Sequence, residues 1–522
     1  MSSITWTPLK NQPPTYVSAM WLMQDGRVLA HLHGETQLYT LSPDQQGSYL
    51  NGQWHTAGSF NVAKLYFASA VLSDGRLVAC GGEYAGQGLP KVETAYCEIY
   101  DLFNDPTSVA TAFAPPAHWT DIGDAPSVVL NDGTFMTRSY PRDEAALLNA
   151  SDLTWTVIGG DGYQEETWTL LQTGDVITTS CIDNTTRRYS ASVNAWSPDS
   201  NLPLVIGNVF KSETGPAIAL MDGRVIFFGS TGNTCIYTPG APGQNGAWVQ
   251  GPDFPVDPSN SGGQLFAADV PAMLEPSGKV LVLTQGNANT SSFWVEYDPV
   301  QNGFSEILAG APSVSGCDTT RMLTLPSGRG LVAVAYSGVV YELTFSGTSD
   351  PSWAPTITSF PSKVYTCTTV TLKGTQLCGL SECQSFGDDN QQAQNYPLVR
   401  FVDRHGAVTY ARAHDVSTRS IAPGKASTVL VDIPNLATGH YSVYAVAMGI
   451  ASQPVTVELV QIGRSLSQRV GDMDGDGLDE ILVSSPWGIG ILKQHDSRMT
   501  SLAMAANGSD IAGIAEESAV GS

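Results

Sequence analysis

The stretch Ser69–Glu83, "SAVLSDGRLVACGGE", places two short apolar runs on either side of the turn Ser-Asp-Gly-Arg and ends in a Gly-Gly pair. An Asp-Gly turn between two apolar runs predicts a β-hairpin. The same pattern, with some variation at the turn, recurs along the first two thirds of the chain. Its turns fall at Asp25, Asp74, Asp132, Thr173, Asp222, Ser277 and Ser327.

Each copy of this hairpin is followed by a Tyr-containing strand and then by a strand near a Trp, so that the repeating unit has four strands. The spacing of the copies is near the roughly 50 residues of a kelch-type blade. One such sheet cannot bury both of its faces alone, whereas radial packing of seven sheets buries them and leaves only short edges. We therefore predict a seven-bladed β-propeller over residues 1–353.

The composition agrees with an all-β protein and limits its function. The 522 residues include 52 Gly and 31 Pro but only 14% charged residues, which favours many short strands and turns. A net charge of −24 argues against nucleic acid as a partner, because phosphates need a basic surface. No apolar run is long enough to predict insertion into a membrane. No signal peptide is visible, and the low Lys and Arg content with two glycosylation sequons favours a secreted or extracellular location.

The chain changes character after Trp353. Residues 354–462 alternate apolar and polar side chains with period two and carry no blade pattern, which predicts one immunoglobulin-like β-sandwich. Residues 463–522 are predicted to contain a short acidic repeat and a tail rich in small residues.

The acidic repeat contains the strongest metal-binding motif of the sequence, "DMDGDGLDE". Alternating carboxylates on a Gly-containing loop converge on one point, as Ca²⁺ requires. The EF-hand pattern is broken, because Val483 stands where its closing Glu would be. The segment instead resembles a single FG-GAP repeat, which implies a structural Ca²⁺. A single repeat cannot close a propeller, so it would dock on another part of the chain, join a partner or oligomer, or be the remnant of a longer array. The predicted ligands are Asp472, Asp474, Asp476, Leu478 and Glu480.

The propeller followed by a sandwich resembles galactose oxidase and its relatives over roughly residues 1–460. "LYFASAVLSDGR" is similar to the segment in which that family carries its copper-ligand tyrosine, and Tyr66 matches it. "ARAHDVSTRSI" resembles the segment that supplies a copper histidine, and His414 matches that one. Elsewhere the pattern departs from the family: Val17 lies near the position of the cross-linked cysteine, and Asp318-Thr319 stands for the Tyr-His pair. We interpret the chain as this fold without the copper-radical chemistry.

In the second to seventh copies, the residue eight or nine positions before the turn residue is polar and lies just ahead of the predicted innermost strand. In a propeller these residues would meet at one mouth of the central channel, where five carboxylates suit a hard metal ion or a cationic ligand. Alternatively, they hydrogen-bond to the backbone of neighbouring blades and close the propeller. The residues are Tyr66, Asp124, Glu165, Glu213, Asp269 and Asp318.

Two sandwich loops are predicted to hang over the same mouth, and an ordinary loop role explains them nearly as well. They carry Asp388, Asp389, Arg412 and His414. Two local disulfides are possible, Cys80 with Cys97 and Cys378 with Cys383. For each pair the alternative is that both cysteines are buried free thiols.

These observations favour a non-catalytic binding protein that recognises a glycan or a protein ligand through its propeller loops. One alternative is a galactose-oxidase-like or other metal-dependent carbohydrate-active enzyme that uses the acidic mouth. The other is a scaffold in a larger assembly, joined through the C-terminal repeat. No catalytic residue is assigned.

Overall fold

The computed structural model describes residues 4–163, 166–207, 213–241, 243–259, 263–286, 291–386 and 393–461, together with the backbone of four strands between residues 469 and 505. Its regular elements are β-strands and one short 3-10 helix, Pro351–Trp353, which confirms the all-β prediction. None of the described helices is long and apolar enough to span a membrane.

The described part of residues 4–345 forms seven four-stranded antiparallel sheets, one for each repeat of the sequence. The first four sheets consist of β2–β5 (Val17–Leu22, Val28–Leu32, Gln37–Ser42, Gln53–Ser59), then β7, β8, β10 and β11 (Ala68–Val71, Leu77–Cys80, Cys97–Tyr100, Thr111–Phe113), then β12–β15 (Ser127–Val129, Phe135–Arg138, Glu144–Asn149, Thr154–Gly159), and then β16–β19 (Thr169–Leu170, Val176–Thr179, Thr186–Ser190, Ala195–Pro198). A two-stranded pair, β6 (Lys64–Leu65) with β9 (Tyr84–Ala85), accompanies the second sheet.

The remaining three sheets follow the same order along the chain, except at the last one. They consist of β20–β23 (Ala217–Ala219, Val225–Phe228, Thr234–Thr238, Ala247–Gln250), β24–β27 (Ala272–Leu274, Val280–Gln285, Ser292–Asp298, Gly303–Phe304), and β28–β30 (Arg321–Thr324, Gly330–Val334, Val339–Phe345) completed by β1 (Ile4–Pro8). The N-terminal strand β1 pairs with β30 from Ile4 opposite Phe345 to Pro8 opposite Tyr341.

The first strands of successive sheets contact one another around a ring. β7 contacts β12, and the series continues through β16, β20, β24 and β28 to β2. Between β2 and β7 the ring is joined by the Trp21 indole, whose Nε1 donates to Ser69 Oγ over 3.0 Å. The sheets therefore pack as the blades of a β-propeller, with the first strand of each blade innermost.

The predicted Asp-Gly turns form as expected. In the turn of Ser69–Glu83, Gly75 adopts a φ of +92°, which residues with a Cβ rarely adopt, and Arg76 Nε donates to Asp74 Oδ2 over 2.7 Å. Cys80 and Cys97 lie opposite each other on β8 and β10 and form a disulfide. Cys378 and Cys383 are buried free thiols.

Residues beyond the propeller form two further groups of strands. One sheet has the order β31-β33-β38-β37 (Thr356–Ser359, Thr369–Thr375, Ala426–Asp432, Ala413–His414). In another, β39 (Gly439–Ala447) pairs with β35 (Leu398–Val402) and with β40 (Ile450–Ala451), and β35 pairs with β36 (Val408–Ala411). Strand β34 (Gln384–Ser385) instead joins the propeller and pairs with β24.

The chain divides into two compact units. The first comprises Met1–Ser362, Thr369–Asp432 and Tyr441–Val457, and the second comprises Lys363–Thr368, Ile433–His440 and Glu458–Ser522. In the second unit β32 (Lys363–Tyr365) pairs in parallel with the end of β41 (Val455–Val460), and a four-stranded sheet has the order β42-β43-β44-β45 (Arg469–Gly471, Glu480–Ser485, Gly488–His495, Arg498–Ala505). The boundaries at residues 353 and 462 stay predictions.

Arg419 ties the segment after β37 to the propeller within the first unit. Its guanidinium is fully buried and donates to Val71 O over 2.9 Å, to Asn395 O over 2.7 Å and to Asn395 Oδ1 over 2.6 Å. Its backbone N–H donates to Asn131 O over 2.7 Å. A buried cation is costly unless its N–H groups meet acceptors, so the burial of Arg419 depends on these contacts, and the buried acceptors depend on Arg419.

We expect Arg419→Met to lower the free energy of unfolding by about 3 kcal/mol, because it leaves buried acceptors of Val71 and Asn395 without their donor. Urea denaturation followed by tryptophan fluorescence measures the change. Arg404→Met, on an exposed side chain, is the control, and an equal effect of the two substitutions would contradict the structural role of Arg419.

Two buried carboxyl groups lie together in the sixth sheet. Glu275 and Glu296 are 2% and 3% exposed, and the Lys279 ammonium pairs with Glu296. Burial, followed by the charge of Glu296, raises the pKa of Glu275 to about 8. Folded Glu275 therefore keeps its proton over a pH range in which the unfolded residue has lost it.

The free energy of unfolding should accordingly fall as the pH rises from about 4.5 to about 8, by at most about 1.4 kcal/mol per pH unit, and this contribution should be constant above that range. Thermal denaturation across this range measures the slope. Glu275→Gln should flatten it, whereas Glu458→Gln, on an exposed side chain of the second unit, should not. An unchanged slope in Glu275→Gln would show that another group titrates.

Candidate functional site

Tyr66 and Asp318 meet at one mouth of the propeller, although 252 positions separate them in the sequence. Tyr66 precedes the innermost strand β7, and Asp318 precedes the innermost strand β28. The Tyr66 hydroxyl donates a short hydrogen bond to Asp318 Oδ2. The repeat positions these residues together because every innermost strand begins at the same mouth.

The environment of Tyr66 keeps its hydroxyl protonated. Burial, followed by the charges of Asp269 and Asp318, raises the pKa of Tyr66 far above its usual range, and the Arg321 guanidinium only partly opposes this. The phenol is therefore a fixed hydrogen-bond donor at physiological pH.

Both Tyr66 and Asp269 adopt the left-handed backbone conformation, with φ values of +50° and +51°. Side chains other than Gly adopt it at a cost of about 1 kcal/mol or more, so neighbouring structure must enforce it. For Tyr66 that structure includes the ion pair of Lys64 with Glu98, 2.7 Å long and 1% and 0% exposed. Glu98 Oε2 also accepts from the backbone N–H of Asn61 over 2.7 Å, which fixes the start of the same segment.

Arg321, whose charge acts on Tyr66, is 1% exposed. Its Nη1 donates to Asp318 O over 2.6 Å, and its guanidinium carbon lies 3.9 Å from the centre of the Phe386 ring. Phe386 belongs to the chain that runs along the inner strands after β34. The guanidinium thus sits between this ring and the segment that carries Asp318.

Three rings near Asp318 contact one another. The Tyr16 and His33 rings stack with centres 4.6 Å apart, and the Tyr16 and Tyr336 centres are 5.1 Å apart. Tyr336 is 51% exposed. Burial, then the neighbouring Tyr336 and Asp318, raises the pKa of Tyr16 to about 12. Burial lowers the pKa of His33, and the charge of Asp318 opposes that shift.

Tyr84 and Asp124 complete the site. The Tyr66 and Tyr84 ring centres are 5.9 Å apart in an edge-to-face arrangement. Burial and the charge of Glu83 raise the pKa of Tyr84, and Asp124 and Asp318 add smaller effects in the same direction. We name the whole set the mouth cluster: Tyr16, His33, Tyr66, Tyr84, Asp124, Asp269, Asp318, Arg321 and Tyr336.

Four residues predicted from the repeat thus lie in the mouth cluster, namely Tyr66, Asp124, Asp269 and Asp318. Glu213 lies just ahead of β20, as the repeat predicts, and its backbone carbonyl accepts from Ser230 Oγ over 3.0 Å. We do not include it in the cluster. Glu165 lies outside the described residues.

His414 lies at the opposite end of the inner strands. Its Nδ1 is 2.7 Å from Asp415 Oδ2, and the backbone N–H of Asp415 donates to Ser73 O in the turn that follows β7. Tyr66 precedes that strand, so β7 separates the two residues. Arg412 lies beside the same turn, where its Nη2 donates to Asp74 O over 2.8 Å. The structure therefore does not bring His414 or Arg412 to the mouth cluster.

Several predicted residues cannot be compared with the structure. Asp388 and Asp389 lie outside the described residues, as do four of the calcium-loop positions, Asp472, Asp474, Asp476 and Leu478. Glu480 begins strand β43 opposite Gly471. Its side chain is not described, and the Ca²⁺ site stays a prediction.

The sequence contained signals for the cluster members that were missed. Counting back nine residues from the turn residue Asp25 gives Tyr16, the same position that gave the others. His33, Tyr84 and Tyr336 each follow the second strand of a blade, which ends at the same mouth. His31, two positions before His33, is fully buried instead, and burial lowers its pKa to about 4.

The donor set does not fit the copper centre that the galactose oxidase resemblance implies. Such a centre needs imidazoles and a thioether-linked tyrosine. Here Tyr66 donates its proton to a carboxylate, Thr319 is fully buried, and Val17 is an aliphatic side chain in the core. Across the described residues, no three His, Cys, Asp or Glu side chains are grouped so that they could hold a metal ion.

Comparison with known proteins supports the fold. No family model matches the chain, and no curated protein matches it. Among solved structures, it is similar to a fungal alcohol oxidase of the AA5 family, in complex with copper, at 13% identity and a TM-score of 0.50, over 87% of this chain and 99% of that one. A streptogramin B lyase matches at 13% identity and a TM-score of 0.42, over 66% of this chain and 97% of that one. At these identities the oxidase match shows the fold alone.

We expect the purified protein to retain no stoichiometric copper after incubation with Cu(II) and dialysis against a weak chelator, because carboxylates and a protonated phenol replace the imidazole donors. Elemental analysis measures the copper content, and Tyr66→Phe should give the same value as the unmodified protein. Tight copper binding that Tyr66→Phe abolishes would contradict this interpretation.

Proposed function

We propose that the protein binds a saccharide at the mouth cluster without oxidising it. The observation that carries this proposal is the Tyr66–Asp318 hydrogen bond near the contacting rings of Tyr16, His33 and Tyr336. A sugar ring presents an apolar C–H face and a rim of hydroxyl groups. Aromatic rings suit the face, and carboxylates and phenols suit the hydroxyls.

The state of the side chains favours binding over redox chemistry. Tyr66 is held protonated by burial and by two carboxylates, so it is a poor metal ligand. Its segment and that of Asp269 are held in a strained backbone conformation. Such strain is compatible with a preorganised recognition site, whose polar groups need little rearrangement when a ligand arrives.

The position of the cluster also favours recognition. It is built from residues between strands of several blades, and such loops on a rigid scaffold commonly carry binding residues. Tyr336 offers the most exposed ring, whereas Arg321 and Phe386 are almost fully buried. The cluster therefore has an accessible aromatic rim and a polar, charged base.

A glycan array followed by isothermal titration calorimetry with the best-bound glycan tests the proposal. Asp318→Asn and Tyr336→Ala should each weaken binding roughly tenfold to a hundredfold, because each removes a charge-assisted hydrogen bond or a stacking surface. Asp298→Asn, on a carboxylate at the end of β26 and outside the cluster, should bind as the unmodified protein does.

Two results would contradict the proposal. An array without any bound glycan would remove the saccharide as ligand, and equal affinities for all three variants would place the site elsewhere. Mass spectrometry of the glycan after long incubation adds a further readout, because a cleaved or oxidised product would establish the carbohydrate-active enzyme instead.

A further inference from the structure

We propose that the saccharide is an oligosaccharide, with one sugar at the mouth cluster and the adjoining part of the chain in a cavity between two neighbouring blades. This inference rests on the proposed function and adds the length of the ligand and a second subsite. It depends on where the cavity lies, on the backbone that joins it to the mouth cluster, and on the side chains that line it.

The cavity lies between the third blade (β12–β15) and the fourth (β16–β19). Its volume of about 320 Å³ is within the range of small-molecule sites. Its lining residues are at the mouth end of both blades: Arg138 ends β13, Glu166 precedes the innermost strand β16, and Ile182 follows β17. The cavity is therefore on the same side of the propeller as the mouth cluster.

Two larger cavities of the described chain do not share this position. Their volumes are about 520 and 590 Å³, and turn residues of the repeat line them, Asp74 and Asp132 in one and Asp222 and Ser277 in the other. These turns follow the innermost strands, so they lie at the end of the blades away from the mouth. Neither of these two cavities can extend a site at the mouth cluster.

The backbone joins the cavity between the third and fourth blades to the mouth cluster. Tyr140, which lines the cavity, donates its backbone N–H to Ile122 O over 3.2 Å. A Cβ placed on Gly123 would lie 3.3 Å from the Tyr140 Cβ, and the next residue is Asp124 of the mouth cluster. A glycan that leaves the mouth cluster on the side of Asp124 therefore meets this cavity next.

The buried part of the cavity lining is polar, and its groups bond to one another. Arg138 is 1% exposed, and it donates from Nη1 to Asp161 Oδ1 over 2.6 Å and from Nη2 to Arg142 O over 3.1 Å. Cys181 Sγ donates to Glu166 Oε1 over 3.4 Å, and both residues are 2% exposed. These bonds hold the cavity in shape before a ligand arrives, which lowers the cost of binding.

The accessible part of the lining suits a sugar. The rings of Tyr140 and Tyr163 are half-buried, and the Tyr163 hydroxyl donates to Thr185 Oγ1 over 2.7 Å, which fixes its ring. Ile182 is 61% exposed, and the Arg142 side chain is exposed as well. The rings and Ile182 suit the C–H groups of a sugar, and the Arg142 guanidinium suits its hydroxyl oxygens.

Calorimetry with the best-bound glycan of the array and with its own fragments tests the inference. The fragments are each terminal monosaccharide and the successively longer pieces. We expect the affinity to rise at least about tenfold from the better-bound monosaccharide to the oligosaccharide, because the added sugars gain the contacts of the cavity.

Two exposed side chains of the cavity can be removed without disturbing its buried lining. Arg142→Ala and Ile182→Ser should each weaken binding of the oligosaccharide about tenfold and leave that of the monosaccharide unchanged. Asp318→Asn, in the mouth cluster, should instead weaken binding at every length. The matched controls are Arg404→Ala and Val300→Ser, on exposed side chains outside both subsites, and they should bind as the unmodified protein does. Melting temperatures verify that each variant is folded.

The outcomes separate this inference from the function on which it rests. An affinity that does not rise with length overturns the oligosaccharide inference, while saccharide binding stands. A rise with length that Arg142→Ala and Ile182→Ser both leave intact also overturns it, because the added sugars then lie elsewhere. Failure of every glycan in the array overturns the proposed function itself.

Discussion

The innermost strands of a propeller create a constraint that the rest of this structure must meet. Each is the first strand of its blade, so its inward-facing backbone N–H and C=O groups have no partner strand within the blade and converge on the central channel. Here residues 380–386 and 393–396, which together we name the central segment, and Arg419 supply partners for these groups. Every one of the seven inner strands, or the residue directly after it, bonds to one of them.

These bonds differ in kind from blade to blade. The sixth blade gains a true strand, since β34 pairs with β24 and Leu274 N donates to Cys383 O over 2.6 Å. The others meet side chains: Leu170 N bonds to Glu382 Oε2 over 3.1 Å, and Thr324 N to Gln384 Oε1 over 3.3 Å. The remaining contacts join Leu22 to Tyr396, Val71 to Arg419, Val129 to Asn395 and Ala217 to Ser385. The central segment thereby reaches Phe386, on which Arg321 rests, so the base of the mouth cluster depends on the same filling of the channel.

The sequence allowed the blades and four residues of the cluster to be predicted, because both follow a repeat with clear turn chemistry. Three turns show this turn chemistry directly, because an Asp pairs with the Arg two positions later in the sequence. These Asp residues are Asp25, Asp74 and Asp222. The resemblance predicted His414 at the mouth, whereas its segment contacts the turn that follows β7. Which end of a strand a distant loop contacts is decided by the tertiary packing, and no local sequence pattern encodes it. Arg419, in the polar stretch Thr418–Ser420, looks like a surface residue, and only the packed channel reveals its burial. Strand β1 was missed because "ITWTP" has no turn beside it to mark a blade.

That strand has a consequence for how the molecule is made. Because β1 pairs with β30, the chain's earliest strand finds its partner only after the sequence of all seven blades has left the ribosome. Until then β1 has no partner strand, and the ring stays open at one seam. The propeller can therefore close only after its last strands have been made. During most of its synthesis the nascent chain must keep the unpaired strand β1 from pairing with other molecules.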